Sequence, residues 1–212
     1  MKLSPPSKII GVGRNYRDHA KELGNVAPDK EPLLFLKAPS SLIGDGDAIV
    51  LPPESQRVDY EGELALVIGR RIKSWPQEKW LDALAGVACA NDVTARDLQK
   101  SDGQFARAKS FDTFCSVGPS VVSGFDPSDL SIETRVNGAI KQSSRTSDMV
   151  FSPAVLIAYL SRMMTLEPGD LILTGTPAGI GPLSAGDTVE VEIERIGTLS
   201  NRVASGTEGQ NI

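Results

Sequence analysis

Apolar positions in this chain come in short runs that Gly, Pro, Asn and Asp repeatedly close, the pattern of strands between turns. Such runs are KIIGVG (8–13), LLFLKAP (33–39), AIVLP (48–52), GELALVIG (62–69), AGVACAND (85–92), SVGPSVV (116–122), SIETRVNG (131–138) and DLILTGTP (170–177). A longer alternating stretch, DTVEVEIERIGTLSNRV, covers 187–203. Helical spacing is rarer. It marks NYRDHAKELG (15–24), PQEKWLDALA (76–85), TARDLQKSD (94–102) and SPAVLIAYLSRMM (152–164). In the last, Val155, Ala158, Tyr159 and Met163 recur at helical intervals. Strands outnumber helices about two to one, and most are not separated by a crossover helix. The pattern predicts a β-rich α+β fold with mixed or antiparallel sheets, not a doubly wound one.

Composition narrows the function classes. The chain has 212 residues, 40% of them hydrophobic, which suits one or two globular domains with a substantial core. Its net charge is -5, with acids and bases interspersed, so the basic stripe of a nucleic-acid binder is missing. No run approaches the roughly 18 apolar residues of a membrane span. The start, MKLSPPSKII, has no apolar core of a signal peptide. Cys89 and Cys115 both lie in apolar runs and read as reduced core residues of a cytoplasmic protein.

The strongest chemical signal is RVDYEGELALVIG. Side chains alternate along a strand, so Asp59, Glu61 and Glu63 share a face with Ala65 and Val67. Glu61 and Glu63 then lie roughly 6.5–7 Å apart at Cα, close enough for their carboxylates to converge. Two such carboxylates repel unless a positive charge lies between them, and a hard divalent cation such as Mg²⁺ or Mn²⁺ meets that need. The alternative is a solvated polar face of an edge strand. A third acid, Asp92, ends the apolar run 86–90, where it either joins the pair or caps the next helix. Arg96 and Asp97 read as a local charge pair.

Other motifs add candidates. Lys109, beside Phe111 and Phe114, is either a surface lysine or a point charge for a substrate carboxylate or enolate oxygen. LILTGTPAGIGP lacks the G-K-[ST] of a phosphate loop. It is either a tight turn or a loop whose amides and Thr174 and Thr176 hydroxyls bind a carboxylate or carbonyl. His19 is the only histidine. On a helical wheel Tyr16, Ala20 and Leu23 form an apolar face, with His19 at its border and Glu22 one step out, at neighbouring i,i+3 spacing. Asn15 is the expected cap and Gly24 the expected stop.

The segments GRNYRDHAKELGN, FLKAPSSLIGDGDAIVLP, DYEGELALVIG, ANDVTARDLQ, AKSFDTFCSVGP and GDLILTGTPAGIGP occur in this order. Together they resemble the catalytic domain of the fumarylacetoacetate hydrolase family, and within it the short acylpyruvase and oxaloacetate decarboxylase-like members. The resemblance implies one catalytic domain over 1–212, with flexible ends at 1–7 and 204–212. It implies a mixed β-roll or β-sandwich with few short helices, acting as a homodimer. Its metal ligands would be Glu61, Glu63 and Asp92, holding Mg²⁺ or Mn²⁺. Lys109, Gln99, Thr176 and Arg14 would bind a small 2-oxo acid. His19 and Glu22 would form an acid/base dyad on a lid helix.

Such a site supports several outcomes. Stabilising an enolate allows hydrolysis of an acylpyruvate, where His19 would activate water, or decarboxylation of oxaloacetate, which needs no such water. It also allows isomerisation or decarboxylation of a dienol diacid such as 2-hydroxyhepta-2,4-diene-1,7-dioate. A non-catalytic metabolite-binding protein on the same fold is the reading from another class.

Overall fold

A computed structural model describes residues 5–206. In chain order it contains β1 (Ile9–Gly13), α1 (Arg17–Glu22), β2 (Leu33–Lys37), β3 (Leu42–Ile43), β4 (Ala48–Leu51), β5 (Val58–Tyr60) and β6 (Gly62–Ile68). A 3-10 helix, Gln77–Ala83, precedes β7 (Leu84–Asp92), β8 (Thr94–Ala95), α2 (Arg96–Asp102), α3 (Ala106–Lys109) and β9 (Cys115–Val122). The hairpin of β10 (Ser131–Val136) and β11 (Ala139–Arg145) leads to α4 (Pro153–Met163), β12 (Leu171–Leu173) and β13 (Gly181–Pro182). A second hairpin, β14 (Thr188–Ile193) and β15 (Gly197–Ser205), closes the fold.

A seven-stranded sheet runs β2-β1-β12-β6-β7-β9-β3, and a five-stranded sheet runs β11-β10-β14-β15-β4. A small third sheet, β13-β5-β8, lies beside them. The pairing is mixed, since β1–β12, β15–β4 and β3–β9 are parallel and the rest antiparallel. One face of the large sheet carries Leu64, Leu66 and Ile68. It packs on Ile132, Val191 and Ile193 of the second sheet and on Leu156, Ile157 and Leu160 of α4. The other face carries a tighter cluster rich in small residues, including Ala65, Ala88 and Ala90, beside Ile9 and Leu171. Each fully buried Leu or Ile in these layers contributes about 1.5–3 kcal/mol. The expected β-rich mixed roll with few short helices is therefore what the structure shows.

Several local expectations change. Strand β11 was not expected, because AIKQSSR is polar and only Gln142 in it is buried. Helix α3 was also missed. The helix expected over 76–85 is a 3-10 helix broken at Lys79 (φ -105°). The alternating stretch 187–203 is a hairpin that turns through Arg195 in a left-handed conformation (φ 66°). Strand β15 reaches Ser205, so the chain is paired beyond 204, and the side chain of Ser7 bonds Asp170 at 2.6 Å. Residues 1–4 and 207–212 of the expected flexible ends lie outside the described residues. Cys89 and Cys115 are free and buried, and no described helix is long and apolar enough to cross a membrane.

Candidate active site

The acidic residues meet because β6 and β7 pair, with Gly62 opposite Asn91 and Glu63 opposite Ala90. Alternation puts Glu63 on the face of Ala65 and Val67, and Asp92 on that of Ala88 and Ala90. Glu61 occupies the bend between β5 and β6. Its N–H donates to Asn91 Oδ1 at 2.9 Å, and its carbonyl accepts from the Asp92 N–H at 2.8 Å. One oxygen from each of Glu61, Glu63 and Asp92 lies within 4.8 Å of the others, and all three residues are buried. A Cβ at position 62 would sit 2.0 Å from Thr134 Oγ1, so the residue between the two glutamates must be glycine. The edge-strand alternative fails, since β6 is a central strand buried along its length. Nor does Asp92 cap α2, whose cap position is Ala95.

Three cations compensate these acids. Lys109, at the end of α3, is only 2% exposed. Its Nζ donates to Glu61 Oε2 at 2.8 Å, Asp92 Oδ2 at 2.5 Å and Thr94 Oγ1 at 2.8 Å. It also lies 4.9 Å from the centre of the Phe35 ring. The surface reading of this lysine is thus excluded. Lys37 of β2 donates to the other Asp92 oxygen at 2.5 Å and to the Phe114 carbonyl at 2.9 Å. Arg96 donates to Glu61 Oε1, to Asp59 Oδ2 at 3.0 Å and to Gln99 Oε1 at 2.5 Å. It makes no local pair with Asp97, which accepts instead from Ser55 and the Gln56 N–H. Lys37 has no role in the reading of the sequence, and Arg96 has only the local one with Asp97. The one available signal was a lysine inside an otherwise apolar run, LLFLKAP.

The electrostatics are uneven. Burial opposes charge on Glu61, but Lys109 and Arg96 outweigh it and hold the carboxyl well below its usual range. Among the described residues no cation bonds the Glu63 oxygens; its Oε2 accepts from the Gly175 N–H at 2.6 Å. Burial, then Asp92 and Glu61, push it well above the usual carboxyl range. Burial opposes charge on Lys109 too, yet Asp92 and Glu61 keep it above an ordinary lysine. Three buried hard-oxygen ligands in like-charge contact fit a divalent cation.

These groups lie at one cavity of about 460 Å³, whose lining includes Glu61, Glu63, Asp92, Lys109, His19, Arg14, Gln99 and Thr176. Of the sequence-predicted residues, Thr174 is not in that lining, and neither is Glu22. Glu22 lies behind His19, with Oε2 at 3.3 Å from His19 Nδ1 and Oε1 accepting from the Gly179 N–H at 3.1 Å. Arg14 adopts a left-handed backbone (φ 57°) that its side chain disfavours. Asn15 is not the helix cap; Tyr16 takes that place without a side-chain bond. Asn15 instead accepts from the Phe151 N–H at 2.8 Å and donates to the Phe151 and Thr174 carbonyls at 3.0 and 2.7 Å. The threonine hydroxyls also differ from expectation. Thr174 donates to the Leu64 carbonyl and Thr176 to the Gly62 carbonyl, each at 2.9 Å, so neither proton is directed to a ligand.

Residues 8–204 match the family model described as fumarylacetoacetate (FAA) hydrolase C-terminal. A mitochondrial oxaloacetate tautomerase of Xenopus laevis is 46% identical over 213 residues, covering 95% of this chain and 66% of its own. The crystal structure of 5-carboxymethyl-2-hydroxymuconate delta-isomerase from Mycobacterium smegmatis superposes with a TM-score of 0.90 at 48% identity. That match covers 96% of this chain and 81% of the other. Fumarylpyruvate hydrolase from Pseudomonas aeruginosa, solved with Mn²⁺ and pyruvate, gives 0.89 at 31% identity, covering 95% and 91%. The order of motifs, the curled sheets and a family match running from β1 into β15 agree: the chain belongs to the fumarylacetoacetate hydrolase family.

Proposed function

We propose that this protein is a Mg²⁺- or Mn²⁺-dependent enzyme that cleaves a C–C bond of a short 2-oxo acid, by hydrolysing an acylpyruvate or decarboxylating oxaloacetate. One observation carries the reading: three buried carboxylates and Lys109 share the cavity that His19 lines. Glu61, Glu63 and Asp92 would hold the metal, which when bound supplies Lewis-acid polarisation of a keto oxygen. Lys109, bonded to two of those carboxylates, places an ammonium within reach of the charge that grows on that oxygen. Arg14, Gln99 and Thr176 line the same cavity and are assigned to the substrate. His19 takes the proton of an attacking water, and Glu22 fixes the imidazole orientation.

A second reading is keto–enol tautomerisation or dienol isomerisation, where the same groups move a proton and no C–C bond breaks. It is favoured by the names of the Xenopus and Mycobacterium relatives. Assays with Mn²⁺ on acetylpyruvate, oxaloacetate and a dienol diacid separate the two. Pyruvate or CO₂ release that disappears with EDTA is expected. Proton exchange or isomerisation without bond cleavage overturns the first reading in favour of the second. The family resemblance also carries a homodimer, which sedimentation velocity tests.

A further inference from the structure

The loop after β12 connects the two halves of the site. At one end the Gly175 N–H holds Glu63, and at the other the Gly179 N–H holds Glu22. The metal position and the dyad thus depend on one short segment, 175–179. That segment is seated on β11, the polar strand that the hydrophobic pattern does not reveal. A Cβ on Gly179 would lie 2.1 Å from the Lys141 carbonyl, so loop and strand are in backbone contact there.

Gln142 is the one buried residue of β11 and is 1% exposed. Its Oε1 accepts from the Gly62 N–H at 3.0 Å. Its Nε2 donates to the Pro177 carbonyl at 2.8 Å and to Thr176 Oγ1 at 2.7 Å. A main-chain N–H can only donate and a carbonyl can only accept, so these partners fix which way the amide points. Thr176 in turn donates to the Gly62 carbonyl. One amide therefore closes a ring joining the bend between the two glutamates to the loop that holds both Glu63 and Glu22.

We propose that Gln142 is a positioning residue: from the second sheet it sets the Glu61–Gly62–Glu63 bend against the 175–179 loop and so fixes the spacing of the carboxylate triad. The proposal rests on the metal reading above. Groups that orient ligands indirectly typically change metal affinity by about 10–100-fold when removed.

The test is Mn²⁺ titration calorimetry on the full chain, with thermal melts alongside. Gln142→Met keeps the length and removes all three bonds; Gln142→Asn keeps an amide that falls short of them and serves where the methionine form does not fold. Thr146→Val is the control, because Thr146 bonds Leu130 and Pro127, away from the triad. Mn²⁺ binding at least about 10-fold weaker in a folded Gln142 variant, with Thr146→Val near wild type, is expected. Affinity within twofold of wild type in the Gln142 variants, or an equal loss in the control, overturns the positioning role and leaves the metal reading standing. Absence of Mn²⁺ binding to the wild-type chain overturns the metal reading and this proposal with it.

Discussion

The floor of this cavity and helix α1, the lid that the family resemblance implies, are built in opposite ways. On the floor, both Asp92 oxygens and both Glu61 oxygens accept bonds from buried or nearly buried cations. The strands beneath are central and buried. The lid, α1, is six residues long, lacks a side-chain cap, and presents Glu22 one-third exposed. Its dyad is joined by one 3.3 Å contact and one bond to a loop. Asn15 fixes only the root of this helix. A densely bonded floor and a lightly bonded helix would suit two separate tasks. In the proposed function the floor would keep like charges together at a fixed spacing, and the lid would bring a proton-transfer group to whatever is bound there.

The largest test of that contrast is Glu61→Ala. It should abolish Mn²⁺ binding and turnover together, read by calorimetry and assay. A fully active variant would remove Glu61 from the ligand set. Next comes Lys37→Met, which leaves Asp92 buried with one oxygen uncompensated. Breaking a buried pair this way costs about 3–5 kcal/mol, measurable by chemical denaturation. A cost below about 1 kcal/mol, the range of an exposed pair, would show that the floor is not held by its charges.

His19→Ala probes the lid. Acylpyruvate hydrolysis should fall roughly 10²-fold or more while Mn²⁺ affinity stays unchanged. An equal loss of metal affinity would erase the distinction between floor and lid.

The smallest effect belongs to a third region, where Asp170 accepts from Lys8, Ser7 and the Glu167 N–H. Burial opposes charge on Asp170, but the Glu167 N–H, Lys8 and Ser7 outweigh it and hold the carboxyl below its ordinary value. A depressed folded value gives stability that is present above the ordinary carboxylate range and lost as pH falls through the folded value. Asp170→Asn should therefore cost about 1 kcal/mol at neutral pH. The difference from wild type should close in acid. A pH-independent difference would mean that the charge contributes nothing.

Much was legible in the sequence because it is local. Alternation placed Glu61 and Glu63 toward one point, and i,i+3 spacing paired His19 with Glu22. Turn residues marked most strand ends, although 3-10 geometry and the polar β11 escaped. Backbone carbonyls, invisible in a residue string, take the protons of the Thr174 and Thr176 hydroxyls. Arg96 was misjudged because its nearest acid in sequence is not its nearest in space.

The sequence by itself determined most element types, the shared face of the acidic strand, the identity of three converging carboxylates and the family of the fold. Only the tertiary structure decided what stabilises them. Lys37 reaches Asp92 across 55 residues, and the Gly62 N–H reaches Gln142 across 80. Local periodicity reports which face a side chain takes. It carries no information about which distant strand comes to lie against that face, and that depends on strand order. Lys37 and the Gln142 amide arrive from such strands, whereas Lys109 and Arg96 arrive from helices α3 and α2.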